Sequence, residues 1–319
     1  MTAIAVLGAG AFGTALAVAL AKEGKTVTLW ARDPAVTDAM QKTRKSGPRL
    51  PGIDLPETLK ITANLTETET NIVLIAVPMS ALSDLLVQAD LKTPSVFVAC
   101  MKGIDPATFQ TPSARIHAAR PDADLAVLTG PSFAADIAIG LPTAITLACA
   151  NDALGEDLQS LLSTQSLRLY RTNDVIGAEL GGAIKNVVAI AAGVAMGAGL
   201  GASARASVIA RGMAEMARVA EHLGGAPATL SGLSGLGDLV LTATSEKSRN
   251  YRAGVALGAG QPLPNATTEG LATARALSDI AARLGTDAPI ATTFTRLLDN
   301  TTTVENAVTD LLARPLKKE

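Results

Sequence analysis

The stretch Ala3 to Gly24, AIAVLGAGAFGTALAVALAKEG, decides the fold. Its opening run AIAVL is apolar and strand-length, and it leads into Gly8-Ala9-Gly10-Ala11-Phe12-Gly13, after which an Ala-rich helical pattern begins. Strand, GxGxxG turn and helix in that order open a dinucleotide-binding βαβ unit. Gly8 permits the tight turn, Gly10 lets a pyrophosphate approach the backbone, and Gly13 lets helix and strand pack. The unpaired N–H groups at the helix start attract phosphate. A generic strand-to-helix turn is the bland alternative, and the context on both sides argues against it.

Working outward, further β-like runs alternate with helical patterns, the order that builds a parallel sheet covered by helices. Candidate strands are Thr26 to Trp30, Asn71 to Val77, Ser95 to Ala99 and Asp124 to Leu128, all continuous apolar runs suited to burial on both faces. Pro142 to Ala148 and Leu167 to Tyr170 flank a helical pattern from Asp152 to Leu162 and extend the sheet. From Asn173 onward there are only Ala-rich helical repeats broken by Gly, such as Ser203 to Leu223, which stops at Gly224-Gly225. The predicted fold is therefore α/β, with an N-terminal Rossmann-type parallel sheet domain over residues 1–172 and an all-helical domain over 173–319. Gly193, Gly197 and Gly201 recur every four residues, which suits a close helix-helix contact within the second domain or between subunits. The Lys, Arg, Gly and Pro-rich stretch from Thr43 to Pro56 is predicted as a mobile flap.

Composition narrows the class. A chain of 319 residues has room for two domains at ~150 residues each. The 48% hydrophobic content excludes intrinsic disorder, and a net charge of -2 without basic runs argues against nucleic acid as a partner. Cys100 and Cys149 each end a β-like run and are expected to be buried, reduced thiols. His117 and His222 are isolated, so no metal site is expected. Two uncharged stretches, Thr2 to Ala21 and Asn186 to Ala204, imitate membrane segments. The first lacks a basic leader and the second is loaded with Gly, so a cytoplasmic protein without stable membrane insertion is expected.

Several residues could carry chemistry. Trp30 is followed by Arg32 and Asp33 with no acid directly at the strand end. Arg32 suits a 2'-phosphate, while Asp33 before Pro34 suits a helix cap, so NADP(H) is favoured and NAD(H) stays open. Lys102 lies just beyond a strand, at the carboxyl edge where open α/β sheets bind ligands. Lys185 is a lone cation among Gly, Ala, Ile and Val, costly to bury without an anion or cavity unless it snorkels to the surface. Ser248-Arg249-Asn250 precedes a helical pattern. It offers a phosphate N–H groups, a hydroxyl and a guanidinium, or else it is a simple capping sequence.

These segments together carry a resemblance. GAGAFGTALA, LPGIDLP, MKGID, GPSFA, LGGAIKNVVAIAAG, GLGDLVLTATS, SRN and TTEG run in order from Gly8 to Gly270, and the chain resembles the bacterial NAD(P)-dependent glycerol-3-phosphate dehydrogenases. The resemblance implies metal-free, reversible reduction of dihydroxyacetone phosphate to sn-glycerol 3-phosphate, the head-group precursor for phospholipid synthesis. It implies Lys185 as catalytic acid/base and Lys102 as a contact of both substrate and nicotinamide. Gly130, Ser132, Asp238, Ser248, Arg249 and Asn250 match substrate-contacting positions. Ala11, Phe12, Arg32, Ala134, Arg249, Thr267 and Glu269 match dinucleotide-contacting ones. Asp136, Phe12 and Met101 depart from the residues usual in the family at their positions. A homodimer is the expected assembly. Two rivals stay in view: a β-hydroxyacid dehydrogenase of the 6-phosphogluconate type, and a sensor that binds NADPH without turnover.

Overall fold

The opening run forms β1 (Ile4–Leu7), buried along its whole length, and the helical pattern after the glycines forms α1 (Ala11–Lys22). There follow β2 (Val27–Trp30), α2 (Pro34–Thr43), β3 (Lys60–Thr62), β4 (Ile72–Ile75), α3 (Met79–Val87) and β5 (Val96–Ala99). Next come α4 (Pro112–Ala119), β6 (Asp124–Thr129), α5 (Ala134–Ala138), β7 (Thr143–Ala148), α6 (Asp152–Leu162) and β8 (Leu167–Thr172). The computed structural model describes residues 2–68, 70–88, 96–263 and 269–313, without the side chains of Glu269 and Leu312.

The eight strands form one sheet in the order β3-β2-β1-β4-β5-β6-β7-β8, whose first six follow the Rossmann order. Side chains alternate between its faces, as the pleat requires. Ile4, Val6, Leu74 and Val98 enter the core on one side, and Ala5, Leu7, Ile75 and Phe97 that on the other. All neighbouring strands run parallel except β6 and β7, which pair antiparallel through Val127–Ala148, Leu128–Leu147 and Thr129–Thr146. The expected all-parallel sheet thus carries one reversed joint, because a strand buried on both faces shows the same apolar run in either direction. β3 was not predicted; three residues that begin on an exposed lysine give no strand pattern. The expected flap is anchored instead. Leu50, Ile53 and Leu55 are buried in the core, and Arg44 donates to the carbonyls of Pro56 and Leu59.

Among the described residues after β8 the elements are helical: α7 (Val175–Gly197), α8 (Gly201–His222), α9 (Pro227–Leu230), α10 (Asp238–Ala243), α11 (Arg249–Gly258), α12 (Glu269–Leu284), α13 (Pro289–Leu298) and α14 (Val304–Leu312). α7 is long and apolar enough to cross a membrane, yet 83% of that stretch is buried inside the protein. Its Leu180, Ile184, Val187 and Val188 form a core with Met216, Leu277 and Phe294. Gly193 and Gly197 make the predicted close helix contact, and its partner is α11. A Cβ on either would run into the carbonyls of Tyr251 and Val255, and one on Gly254 or Gly258 into those of Ile190 and Val194. Gly201 has no part in this crossing; it opens α8 with φ +86°.

The two compact units do not meet at a single cut after residue 172. One holds Met1–Lys102 with Gln110–Glu179, and the other holds Gly103–Phe109 with Leu180–Glu319. The short insert belongs with the helices because Ile104 is buried in their core and the Arg283 guanidinium lies 4.3 Å from the centre of the Phe109 ring.

Buried glutamates hold two helix starts. Ser113, at the start of α4, donates to Glu179 from its N–H (2.8 Å) and its hydroxyl (2.5 Å). Ile290 and Ala291, at the start of α13, donate N–H groups to Glu215 at 2.8 and 3.0 Å. Burial pushes both carboxyls up, that of Glu215 to about 7, while the N–H donors pull the other way.

Candidate active site

The start of α1 is built to receive an anion. Gly10 gives it no side-chain cap, and its first turn holds no acid. Its first internal hydrogen bond runs from Thr14 N–H to Gly10 O (3.0 Å), so the N–H groups of Ala11, Phe12 and Gly13 project from the helix end. Gly8, at φ +118°, lies so close to the end of β4 that a Cβ would sit 2.7 Å from the Ala76 carbonyl oxygen. A Cβ on Gly13 would collide with the Gly8 carbonyl, whereas one on Gly10 would meet nothing within 4 Å. Two glycines therefore close the turn and the third leaves its face open. This backbone fits the diphosphate of a dinucleotide.

Beyond β2, Arg32 is exposed. Asp33 caps α2, its Oδ1 accepting from Ala35 N–H at 2.9 Å with Pro34 next in sequence. At the carboxyl ends of β5 and β6, Lys102 Nζ and the Ser132 hydroxyl both donate to the Gly130 carbonyl, at 3.2 and 3.0 Å. One backbone oxygen thus gathers three of the predicted residues. Ala134 opens α5, and Asp136 lies in its first turn, where a negative charge meets the positive end of the helix.

In the helical unit, Lys185 does not snorkel. It is 6% exposed, and its Nζ donates to Asp238 Oδ1 (2.9 Å) and Thr242 Oγ1 (2.6 Å), while the Thr242 hydroxyl donates on to Asp238 (3.3 Å). Local sequence explains the meeting. Gly181, one turn before Lys185 on the same face of α7, admits the Ser234 carbonyl, to which a Cβ would come within 2.8 Å. Ser234 belongs to a π-helical turn, Leu233–Gly237, that delivers Asp238 to the start of α10, and the four-residue spacing puts Thr242 on the same face. Thr242 was given no role from sequence, although that spacing was its signal.

At the start of α11, Ser248 is an N-cap whose Oγ accepts from Tyr251 N–H (3.1 Å), and Arg249, the first helical residue, is exposed. Ser248 therefore takes the capping role, and the cap leaves the Arg249 guanidinium outside. Asn250 turns inward. Its Nδ2 donates to Asn186 Oδ1 (2.9 Å) and its Oδ1 accepts from Gly270 N–H (3.3 Å). Thr267 and the side chain of Glu269 lie outside the described residues. Cys100 and Cys149 are buried and their thiols pushed up by burial, so they stay unreactive. Among the described residues no three His, Cys, Asp or Glu gather as metal ligands.

The family model of the NAD-dependent glycerol-3-phosphate dehydrogenase N-terminus matches residues 3–155, and that of the C-terminus matches residues 174–309. A glycerol-3-phosphate dehydrogenase [NAD(P)+] of Paracoccus denitrificans is 55% identical over 99% of both chains. The chain belongs to the NAD(P)-dependent glycerol-3-phosphate dehydrogenase family. The relative in Cereibacter sphaeroides is also 55% identical, over 99% of this chain and all of its own. The crystal structure of glycerol-3-phosphate dehydrogenase from Coxiella burnetii superposes with a TM-score of 0.92 at 36% identity, covering 98% of this chain and 99% of that one. A D-mandelate dehydrogenase at 15% identity and TM-score 0.63 shares the fold alone.

Proposed function

We propose that the protein is a glycerol-3-phosphate dehydrogenase that reversibly reduces dihydroxyacetone phosphate to sn-glycerol 3-phosphate for phospholipid synthesis. The observation that carries this reading is the buried Lys185, held by Asp238 and Thr242. Bound NAD(P)H supplies a hydride. A ketone carbon that accepts a hydride leaves an alkoxide, far too basic to persist at neutral pH, so a proton must arrive at its oxygen. The Lys185 ammonium stabilises the developing negative charge and gives up that proton. In the oxidative direction, the neutral amine takes the proton from the hydroxyl.

Asp238 keeps the ammonium oriented, and the Thr242 hydroxyl, which accepts from Lys185 and donates to Asp238, completes the triangle. Arg249 offers its guanidinium fork, with the N–H groups at the start of α11, to the substrate phosphate. Lys102 and Ser132 serve substrate at the sheet edge, and the glycine turn with Arg32 serves the dinucleotide, NADPH ahead of NADH. We place the enzyme in the cytoplasm as a homodimer without stable membrane insertion, which light scattering on the purified protein tests.

The functional test is loss of reduced-nicotinamide absorbance on adding dihydroxyacetone phosphate, with NADPH and NADH in parallel. Turnover with either supports the reading. Cofactor binding without turnover overturns it in favour of a sensor, and turnover confined to a hydroxyacid such as 6-phosphogluconate overturns it in favour of that class.

A further inference from the structure

Several arginines of the helical unit have a charged or carbonyl oxygen as partner: Arg275 bonds Asp299, Arg296 bonds Asp310 and Arg218 bonds the Asp287 carbonyl. Arg205, on α8, differs from these. It is partly buried, yet among the described residues no carboxylate pairs with it, and its hydrogen bond runs from Nη1 to the neutral Tyr251 hydroxyl at a long 3.4 Å. A guanidinium carries five N–H donors and is costly to withdraw from water without an anion. Helix packing puts this cation beside the start of α11. α8 returns along α7 with Gly212 packed against Val188, so Arg205, two turns earlier on α8, lies farther along α7 toward Gly193. There the α7–α11 crossing brings Gly193 against the Tyr251 carbonyl. Tyr251 is the third residue of α11, and helical side chains lean toward the N-terminus, so its phenol holds the Arg205 guanidinium near the turn that Arg249 opens.

We infer that Arg205 is a further substrate-binding residue, a second guanidinium for the phosphate that Arg249 receives, and that the Tyr251 hydroxyl positions it. This rests on the proposed dehydrogenase reading and extends its anion site by one residue. A phosphate monoester carries close to two negative charges and three strong acceptor oxygens, more than one guanidinium fork can match. Arg249 is exposed and its charge is screened by solvent, whereas Arg205 is partly buried and screened less. Tyr251 makes a firm support: it is 6% exposed, and the Ser248 cap holds its N–H at 3.1 Å. Its oxygen engages Nη1 of the guanidinium, which leaves the remaining N–H donors to face an anion.

Arg205→Met, which keeps the apolar stem and deletes the charge, tests the assignment in the full-length protein. Three quantities are measured: kcat and KM for dihydroxyacetone phosphate at saturating NADPH, the inhibition constant of inorganic phosphate competing with that substrate, and NADPH affinity read by energy transfer from Trp30. Loss of a charge-assisted contact should raise KM by about tenfold with kcat nearly unchanged. The phosphate inhibition constant should rise by about the same factor while NADPH affinity stays constant, a pattern that a merely structural role would not produce. Arg205→Lys, which retains the charge without the fork, should fall between wild type and Arg205→Met. An unchanged KM, or a raised KM with an unchanged phosphate inhibition constant, would overturn the inference. Weaker NADPH binding in Arg205→Met would place the residue at the dinucleotide and overturn it as well. Wild-type protein is the control: no turnover there overturns the dehydrogenase reading and this inference with it, whereas wild-type turnover with an unaltered Arg205→Met variant overturns the inference alone.

Discussion

The ammonium of Lys185 and the carboxylate of Asp238 meet at 2.9 Å with both residues more than nine-tenths buried, at 6% and 1% exposure. Removing one charge strands the other away from water, which costs roughly 3–5 kcal/mol, whereas replacing both with apolar groups of similar volume is often neutral. Asp238→Ala should therefore lose stability of that order in urea unfolding. The double variant Lys185→Met, Asp238→Leu should recover most of it while remaining inactive. Equal stability of Asp238→Ala and wild type would mean that the pair is not buried as described.

Arg249 is exposed at the first position of α11, free of the capping role that Ser248 fills. Arg249→Ala should raise KM for dihydroxyacetone phosphate by at least tenfold, the loss of a charge-assisted hydrogen bond of ~1.5 kcal/mol or more, with a smaller effect on kcat. Steady-state kinetics at saturating NADPH measure this. An unchanged KM would move the phosphate site elsewhere.

Glu215 gives stability a defined pH dependence. Burial raises its carboxyl from the ordinary range to about 7 in the folded protein. Between the unfolded value and about 7, the unfolded chain has released this proton while the folded protein keeps it. The Glu215 contribution is therefore greatest at low pH and is lost as pH rises toward 7. Glu215→Gln keeps one of the two oxygens that accept from the Ile290 and Ala291 N–H groups and removes the titrating proton, so its stability carries a constant offset and no pH dependence from this site. The stability difference between wild type and this variant should shift against wild type from pH 5 to pH 7, and then level off. A difference independent of pH would contradict the assignment.

The α7–α11 crossing should not tolerate one added methyl. Gly254→Ala places a Cβ against the Ile190 carbonyl, a backbone atom that cannot rotate away. The expected cost is ~1–3 kcal/mol, read as a lower melting temperature. Gly24→Ala is unsuited as a control because φ there is +74°, whereas Gly10→Ala meets open space and should leave stability nearly unchanged while weakening cofactor binding.

Much of this was legible because it is local. The strand-turn-helix around Gly8 is contiguous, and Lys185 was conspicuous as one charge in an apolar helix whose burial demanded a partner. Asp238 was already among the expected residues, whereas Thr242, four residues on and on the same helix face, was passed over. What escaped depends on contacts between distant segments. Nothing near Glu215 reveals that it meets a helix start 75 residues later. Ile104 and Phe109 look like ordinary loop residues until the helical core receives them. The direction of β7 and the existence of β3 are likewise set by neighbours, since a buried run does not show strand direction and three residues show no period.

The most direct test of the proton donor is Lys185→Met, which fills the buried stem and deletes the ammonium. Turnover of dihydroxyacetone phosphate is measured alongside NADPH affinity, read by energy transfer from Trp30, the single tryptophan, at the end of β2. Proton-transfer catalysis contributes ~10²–10⁴-fold, so kcat should fall at least that far with NADPH affinity unchanged. A variant that binds NADPH normally and turns over at the wild-type rate would contradict Lys185 as the proton donor.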